Sequence, residues 1–175
     1  MHIKDFPRLA VGASGTGSLF RSMIKKGLPI TLLFADQPCK ALEIAEEAGI
    51  RTILLPRRGK FNPTTGADEG RRKYTNELET ALHQYGIELI ALAGFETVLA
   101  ESIFIFYEGR ILNSHPALLP LFKGKYAVRD AHRAGVPFTG TTIHIATALL
   151  DDGPILAQAK VPILPTHTDD TLWED

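Results

Sequence analysis

The sequence lacks the features that would place the protein in an oxidising compartment or in a membrane. Its single cysteine, Cys39, has no partner in the chain for a disulfide. The longest apolar run, near residues 87–95, is interrupted by Glu88 and is far shorter than the roughly 20 residues that a membrane helix needs. No long apolar segment follows the charged residues 1–8, as a secretory signal would require. We therefore expect a soluble, cytoplasmic protein.

An excess of charge of one sign is also lacking. Nineteen Lys and Arg residues against 20 Asp and Glu residues give a formal net charge of −1, which leaves no global field to hold nucleic acid or an anionic membrane. With 45% hydrophobic residues, 175 residues suffice for one domain with a full core. We expect a single domain over residues 1–175 that binds small molecules, and we expect no metal.

Short apolar runs alternate with helical patterns along the chain. This alternation predicts an α/β, Rossmann-like fold, with a mainly parallel twisted sheet and helices on both faces. Residues 56–70 are rich in glycine, proline, threonine and basic side chains, which favours an exposed connection. The predicted strands are residues 9–13, 29–35, 51–55, 88–93, 110–113, 139–146 and 155–161, and the predicted helices begin near residue 18 and span residues 39–48, 71–85, 96–107 and 126–134.

A glycine loop, Ser14-Gly15-Thr16-Gly17-Ser18, connects the first strand to the first helix. Glycines let the backbone approach a ligand, and a helix N-terminus favours an anion such as phosphate. Asp36, about twenty residues later, adds a resemblance to the dinucleotide-binding fingerprint. Phe20 occupies the position of the third fingerprint glycine. A phosphate site, a nicotinamide site and a plain strand–helix turn all stay open here.

Asn113 and His115 lie two residues apart, where an apolar strand meets Pro116 and Pro120. Alternate residues of a strand point to the same face of the sheet. An amide and an imidazole in this arrangement could address one small molecule together. A polar pair in a turn, with His115 making an ordinary hydrogen bond, is the alternative.

Five motifs follow one another along the chain, at residues 14–18, 93–95, 113–120, 139–144 and 151–158. In this order and spacing they resemble those of the folate-dependent phosphoribosylglycinamide formyltransferases. The Asn-x-His-Pro-x-Leu-Leu-Pro element is the most specific of them. The resemblance runs from about Leu9 to the last residue. It implies transfer of a formyl group from 10-formyltetrahydrofolate, as co-substrate, to the amine of glycinamide ribonucleotide in de novo purine biosynthesis.

The resemblance implies a role for each matching residue. Asn113 would donate a hydrogen bond to the tetrahedral oxyanion, His115 would carry the proton, and Asp151 would orient His115 and favour its charged form. Asp152 competes with Asp151 for that role. The resemblance further assigns support of the site to His144 and Thr142, the substrate phosphate to Gly15, Thr16, Gly17 and Ser18, and the folate to Ala93, Gly94, Phe95, Val98 and Leu99.

The sequence departs from the family pattern at three places. Leu19 stands where many relatives carry Asn, and Glu96 and Thr97 stand where many carry Met-Arg. The resemblance also stops at Asp175, in what the pattern indicates is the first turn of a helix. We therefore expect a chain that lacks the final helix and strand of its relatives.

Other functions stay open at this point. Within the superfamily they are formyltetrahydrofolate deformylase and the formyltransferases acting on methionyl-tRNA or sugar nucleotides. A non-catalytic nucleotide- or folate-binding module, and a nicotinamide oxidoreductase resting on the glycine loop and Asp36, are alternatives from other classes. Either a monomer or a homodimer is compatible with the sequence.

Overall fold

The computed structural model describes residues 6–57, 67–164 and 166–168. By their contacts, the residues divide into two compact units, residues 1–111 and 112–175. Within the described ranges the elements follow one another as β1 Leu9–Ala13, α1 Ser18–Lys25, β2 Ile30–Ala35, α2 Lys40–Glu47, β3 Arg51–Leu54, α3 Ala67–Gln84, β4 Leu89–Leu92, α4 Glu101–Phe106, β5 Ile111–His115, α5 Ala127–Arg133, β6 Phe138–Ile145 and β7 Ile155–Pro162.

The first unit is built on a parallel sheet with the strand order β3-β2-β1-β4. The chain steps from β1 to β2 to β3 in one direction and then returns to β4 on the other side of β1. Since such crossovers are right-handed, α1 and α2 lie on one face and α3 on the other. All five residues of β1 are buried, as expected for a strand covered on both faces. The predicted Rossmann-like arrangement is confirmed.

The side chains of β1 alternate between two packed layers. Leu9, Val11 and Ala13 join a buried cluster with residues of α1 and α2, including Phe20 and Ile44. On the opposite face, a Cβ at position 12 would lie 2.6 Å from the ring of Phe34. Only glycine fits at that position, because the Phe34 ring occupies the space that a side chain would need.

The second unit contains an antiparallel sheet in the order β5-β6-β7. Its register places Asn113 opposite His144, and His115 opposite Thr142. Because residues two apart on a strand share a face, these four side chains form one polar group. The predicted pairing of residues 139–146 with residues 155–161 is confirmed.

Two predicted elements differ from those observed. Helix α3 begins at Ala67, so residues 67–70 belong to a helix rather than to the predicted connection; Asp68 and Glu69 in its first turn suit a helix N-terminus. Residues 58–66 of that connection, and residues 169–175 at the predicted terminal helix, lie outside the described residues.

The second difference is that only residues 101–106 of the predicted helix 96–107 are helical, as α4. Side chains supply the hydrogen-bond partners of the preceding segment. The hydroxyl of Thr97 donates to Asp36 over 2.6 Å, and the Ala100 amide donates to the hydroxyl of Thr75 over 2.8 Å. These bonds fix an irregular conformation where the apolar pattern alone predicts a helix.

None of the helices in the described part of the chain is long and apolar enough to cross a membrane. The single-domain organisation over residues 1–175 stays a prediction.

Candidate active site

The polar side chains of the second unit converge on Asp151. Its Oδ2 lies 3.4 Å from Nδ1 of His115, and its Oδ1 lies 3.7 Å from Nε2 of His144 and 3.5 Å from Nδ2 of Asn113. His115, His144 and Asp151 are all at least nine-tenths buried. The structure thus brings Asn113 and His115, two of the three residues that the resemblance assigns to catalysis, into contact with the third, Asp151.

The turn between β6 and β7 places the Asp151 carboxylate in this cluster. Asp151 has a positive φ of 50°, a conformation that Asp adopts more readily than most residues. The turn packs tightly on the end of β6, since a Cβ at position 153 would lie 1.8 Å from the carbonyl oxygen of Ile145. Asp152, the competing candidate, points away from the cluster into an exposed ion pair with Lys123.

The environment of Asp151 stabilises its ionised form. Burial alone raises the pKa of the carboxyl. The His144 ring beside Oδ1, the Gly124 amide 2.8 Å from Oδ2 and the charge of His115 outweigh burial, and together they hold the pKa below its ordinary value. Asp151 is therefore a carboxylate at neutral pH.

Both ring nitrogens of His115 face acceptors. Nε2 lies 2.8 Å from the carbonyl oxygen of Phe122, and Nδ1 faces the Asp151 carboxylate. An imidazolium can donate to both groups at once, whereas a neutral ring can donate to only one. The site is therefore built to accommodate His115 with a proton on each nitrogen, which suits a residue that holds and releases a proton.

His144 orients the amide of Asn113. Its Nδ1 lies 3.0 Å from the carbonyl oxygen of Ile145, which can only accept. In the neutral ring the proton is therefore on Nδ1, and Nε2 accepts from Nδ2 of Asn113 over 3.1 Å. This contact and Asp151 together keep the amide hydrogens of Asn113 directed into the cluster.

Thr142 fixes the backbone that follows His115. Its buried hydroxyl donates to the carbonyl of Ala117 over 2.6 Å and accepts from the Leu119 amide over 3.1 Å and from Nε2 of Gln158 over 3.0 Å. Gln158 also donates to the carbonyl of Leu119 over 2.9 Å. The hydroxyl therefore makes all the hydrogen bonds it can, because a hydroxyl donates one and accepts two.

Backbone groups and one amide side chain complete the cluster. The Phe122 carbonyl and the Gly124 amide come from the segment between the predicted strand at residues 110–113 and the predicted helix at residues 126–134. Residue type does not identify them, because main-chain donors and acceptors are the same in every residue except proline. Gln158 lies within the motif of residues 151–158, yet nothing in its type points to Thr142. Strand pairing between β6 and β7, which sets Gln158 opposite Thr142, is the signal that identifies it.

The glycine loop in the first unit ends at the N-terminus of α1. Gly17 caps the helix in the left-handed conformation, with φ of 71°, and a Cβ there would lie 2.9 Å from Cα of Ala41. Gly15, Thr16 and Ser18 are exposed. The first amides of a helix have no intrahelical acceptor, so they are available to an anion.

The segment predicted to hold folate follows β4. Gly94 has a positive φ of 70°, and the ring of Phe95 stands edge-on to that of Phe34 at 5.2 Å. Ala93 and Leu99 are buried, whereas Val98 is 51% exposed. The segment therefore packs on the sheet through Phe95 and exposes an apolar surface at Val98.

Asp36, the residue behind the nicotinamide hypothesis, is turned inward. Its side chain is fully buried, accepts from Thr97 and lies 3.5 Å from Arg57. A carboxylate in this position cannot reach the ribose hydroxyls of a dinucleotide, so the geometry does not favour that hypothesis. Among the described residues, no group of three or more His, Cys, Asp and Glu side chains is placed to hold a metal ion.

An α/β fold that carries an amide donor beside a buried imidazole–carboxylate pair has the parts of a transferase acting at an acyl carbon. The chain belongs to the formyl transferase family, whose model matches residues 7–175.

Its relatives include several phosphoribosylglycinamide formyltransferases, which are enzymes of purine biosynthesis. The chain is 38% identical to the enzyme of Mycobacterium tuberculosis over 172 residues, covering 95% of this chain and 76% of the relative. It is 34% identical to the Bacillus subtilis enzyme, and the match covers 94% of this chain and 84% of that enzyme.

Solved structures agree with these matches. The fold is similar to that of the Streptococcus pneumoniae phosphoribosylglycinamide formyltransferase, with a TM-score of 0.84 at 32% identity, covering 95% of this chain and 88% of the other. A formyltetrahydrofolate deformylase from Pseudomonas syringae, at 19% identity and a TM-score of 0.81, shares the fold alone. The predicted formyltransferase fold is confirmed.

Proposed function

We propose that the protein transfers a formyl group from 10-formyltetrahydrofolate to the primary amine of glycinamide ribonucleotide. The observation that carries this proposal is the contact of Asn113 and His115 with a single buried carboxylate, Asp151. A carboxylate, a proton-carrying imidazole and an amide donor are the groups that an acyl-type transfer requires.

The amine of the ribonucleotide attacks the formyl carbon, forming a carbon–nitrogen bond as the carbonyl electrons move onto oxygen. Nδ2 of Asn113 donates a hydrogen bond to that oxyanion, turning from its resting contacts with His144 and Asp151. One such donor contributes about 3 kcal/mol in a water-excluded site. His144 holds the amide ready for this role.

The intermediate collapses by breaking the bond between the formyl carbon and the folate nitrogen, which needs a proton as it leaves. His115 supplies that proton from Nε2, turning from its resting contact with the Phe122 carbonyl while Nδ1 stays beside Asp151. The attacking amine gives up one proton in exchange, so protons balance over the cycle. Asp151 stabilises the positive charge on His115 while the ring is protonated. Thr142 positions the backbone after His115, and through it the ring.

The ribonucleotide phosphate binds the glycine loop through amides of Gly15, Thr16, Gly17 and Ser18, assisted by the helix dipole of α1. Leu19 adds no polar group to this subsite. The pterin of the folate lies against the wall formed by Ala93, Gly94, Phe95, Val98 and Leu99. Glu96 and Thr97 are committed to Arg57 and Asp36, so main-chain groups of this segment make the polar contacts to the folate.

An assay of folate release tests the proposal. Purified protein is given 10-formyltetrahydrofolate with and without glycinamide ribonucleotide, and tetrahydrofolate and formylated ribonucleotide are both quantified. We expect equal amounts of the two products, and release only when the ribonucleotide is present. Release of formate without the ribonucleotide would instead identify a deformylase, and no turnover under either condition would support a binding module.

A further inference from the structure

Ser14, which the proposed reaction does not use, joins two binding segments of the first unit. Its amide donates to the carbonyl of Gly94 over 2.9 Å, and its hydroxyl accepts from the Glu96 amide over 2.8 Å. The side chain is almost completely buried, at 2% exposure for the residue. The residue that begins the glycine loop is thus bonded to both sides of Phe95.

These contacts are part of a closed ring of hydrogen bonds among four residues, formed by side-chain and main-chain groups. Nε2 of Gln37 donates to the carbonyl of Ser14 over 2.6 Å, and Nη2 of Arg57 donates to Oε1 of Gln37 over 3.2 Å and to Oε2 of Glu96 over 3.3 Å. The main-chain amide of Glu96 donates to the Ser14 hydroxyl, and this bond closes the ring. The four residues follow β1, β2, β3 and β4, so the ring joins the segments after the carboxyl ends of all four parallel strands.

A buried carboxylate anchors the ring to the sheet. Asp36, at the end of β2, accepts from the Thr97 hydroxyl and lies 3.5 Å from Nη1 of Arg57. A buried charge has to be compensated by a partner, so Arg57 is held where it can also reach Glu96. Glu96 and Thr97, which depart from the family pattern, are therefore both parts of one network.

We propose that Ser14 is a positioning residue that couples the two substrate subsites, so that each substrate binds more tightly when the other is present. This inference rests on the proposed function, which puts the phosphate at residues 15–18 and the pterin at residues 93–99. Phosphate binding orders the loop that begins at Ser14, and the two bonds from Ser14 transmit that order to Gly94 and Glu96. By thermodynamic reciprocity, folate binding tightens ribonucleotide binding by the same factor.

Calorimetry with tetrahydrofolate, which carries no formyl group and so cannot react, measures this coupling. The dissociation constant of tetrahydrofolate is determined with and without saturating glycinamide ribonucleotide. We expect a decrease of about fivefold or more in the wild type and of less than about twofold in Ser14→Ala. Ser102→Ala, which removes an exposed hydroxyl bonded to Glu79, is the matched control and should keep the wild-type factor.

A second variant protects the test against misfolding of Ser14→Ala. Glu96→Gln weakens the pair with Arg57 but keeps the backbone bond to Ser14, and we expect a coupling factor between those of the wild type and Ser14→Ala. A wild type with a factor below about twofold, or variants that fold and keep the wild-type factor, would overturn the inference. Formyl transfer by the wild type is measured in parallel, and its absence would count against the proposed function instead.

Discussion

At the scale of single residues, Asp151 is the residue on which the proposed catalytic site depends most. It is the only carboxylate in the described part of the chain that contacts both His115 and His144. Its neighbour Asp152 has the same chemistry but an exposed position. The two residues are adjacent in sequence, and the turn geometry alone decides which of them enters the cluster.

The lowered pKa of Asp151 predicts a specific pH dependence of stability. A carboxyl whose pKa is lower in the folded than in the unfolded state stabilises the fold above its unfolded pKa, and that stabilisation is lost as pH falls through the folded pKa. We expect the difference in unfolding free energy between wild type and Asp151→Asn to be constant near neutral pH and to shrink below the ordinary value of 3.8. Urea unfolding from pH 7 downward measures this; a difference that does not change with pH would contradict the role of the charge.

Thr142 gives a second prediction at this scale. Thr142→Val keeps the shape of the side chain but leaves the Leu119 amide and the Ala117 carbonyl without their buried partner. We expect a loss of about 1–3 kcal/mol in unfolding free energy together with a lower kcat, because the backbone after His115 loosens. Thr52→Val is the matched control: Thr52 is exposed on β3, so its replacement should cost less than about 0.5 kcal/mol. Equal losses in the two variants would show that the Thr142 network is not needed.

At the scale of elements, the loop between β1 and α1 illustrates how glycine serves a site. Gly17 meets two separate demands, a left-handed backbone and contact with Ala41 of α2. A Cβ at Gly15, two residues earlier, would meet no neighbour within 4 Å among the residues that the structure describes. Position in the loop, rather than membership of a glycine motif, therefore determines which glycine is required by the fold.

We expect Gly17→Ala to lower the free energy of unfolding by at least about 2 kcal/mol, from backbone strain and from overlap with Ala41. Gly15→Ala in the same loop should change it by less than about 0.5 kcal/mol. Chemical denaturation of the ligand-free proteins compares the two. A Gly17→Ala protein as stable as Gly15→Ala would show that the loop adapts and that the helix start is not fixed by this contact.

The elements also show where sequence patterns are sufficient. The strands and most helices follow from apolar periodicity and from glycine or proline at their ends, because local pattern and burial agree there. The segment 96–100 does not follow, because Thr97 and Ala100 are held by side chains more than twenty residues away in sequence. Long-range bonds of this kind leave no periodic signal, so a helix is the wrong prediction there.

At the scale of the whole molecule, the parallel strands of the first unit carry the glycine loop, and the antiparallel strands of the second unit carry the Asn113 cluster. The motif positions predict both sets of residues, and strand periodicity predicts that Asn113 and His115 share a face. Three features could not be predicted, since they depend on turns and on main-chain groups. They are the Phe122 carbonyl, the Gly124 amide and the ring of hydrogen bonds that begins at Ser14. Family membership extends over residues 7–175, so it includes both units.

The most direct test of the account is the turnover number for formyl transfer in Asp151→Asn compared with Asp152→Asn. We expect Asp151→Asn to lose about a hundredfold or more, because the proton carrier loses its stabilising charge. Asp152→Asn should stay within about fivefold of the wild type, because an exposed ion pair contributes at most about 1 kcal/mol. Equal activity in the two variants, or a larger loss in Asp152→Asn, would contradict the assignment of Asp151 to the catalytic cluster.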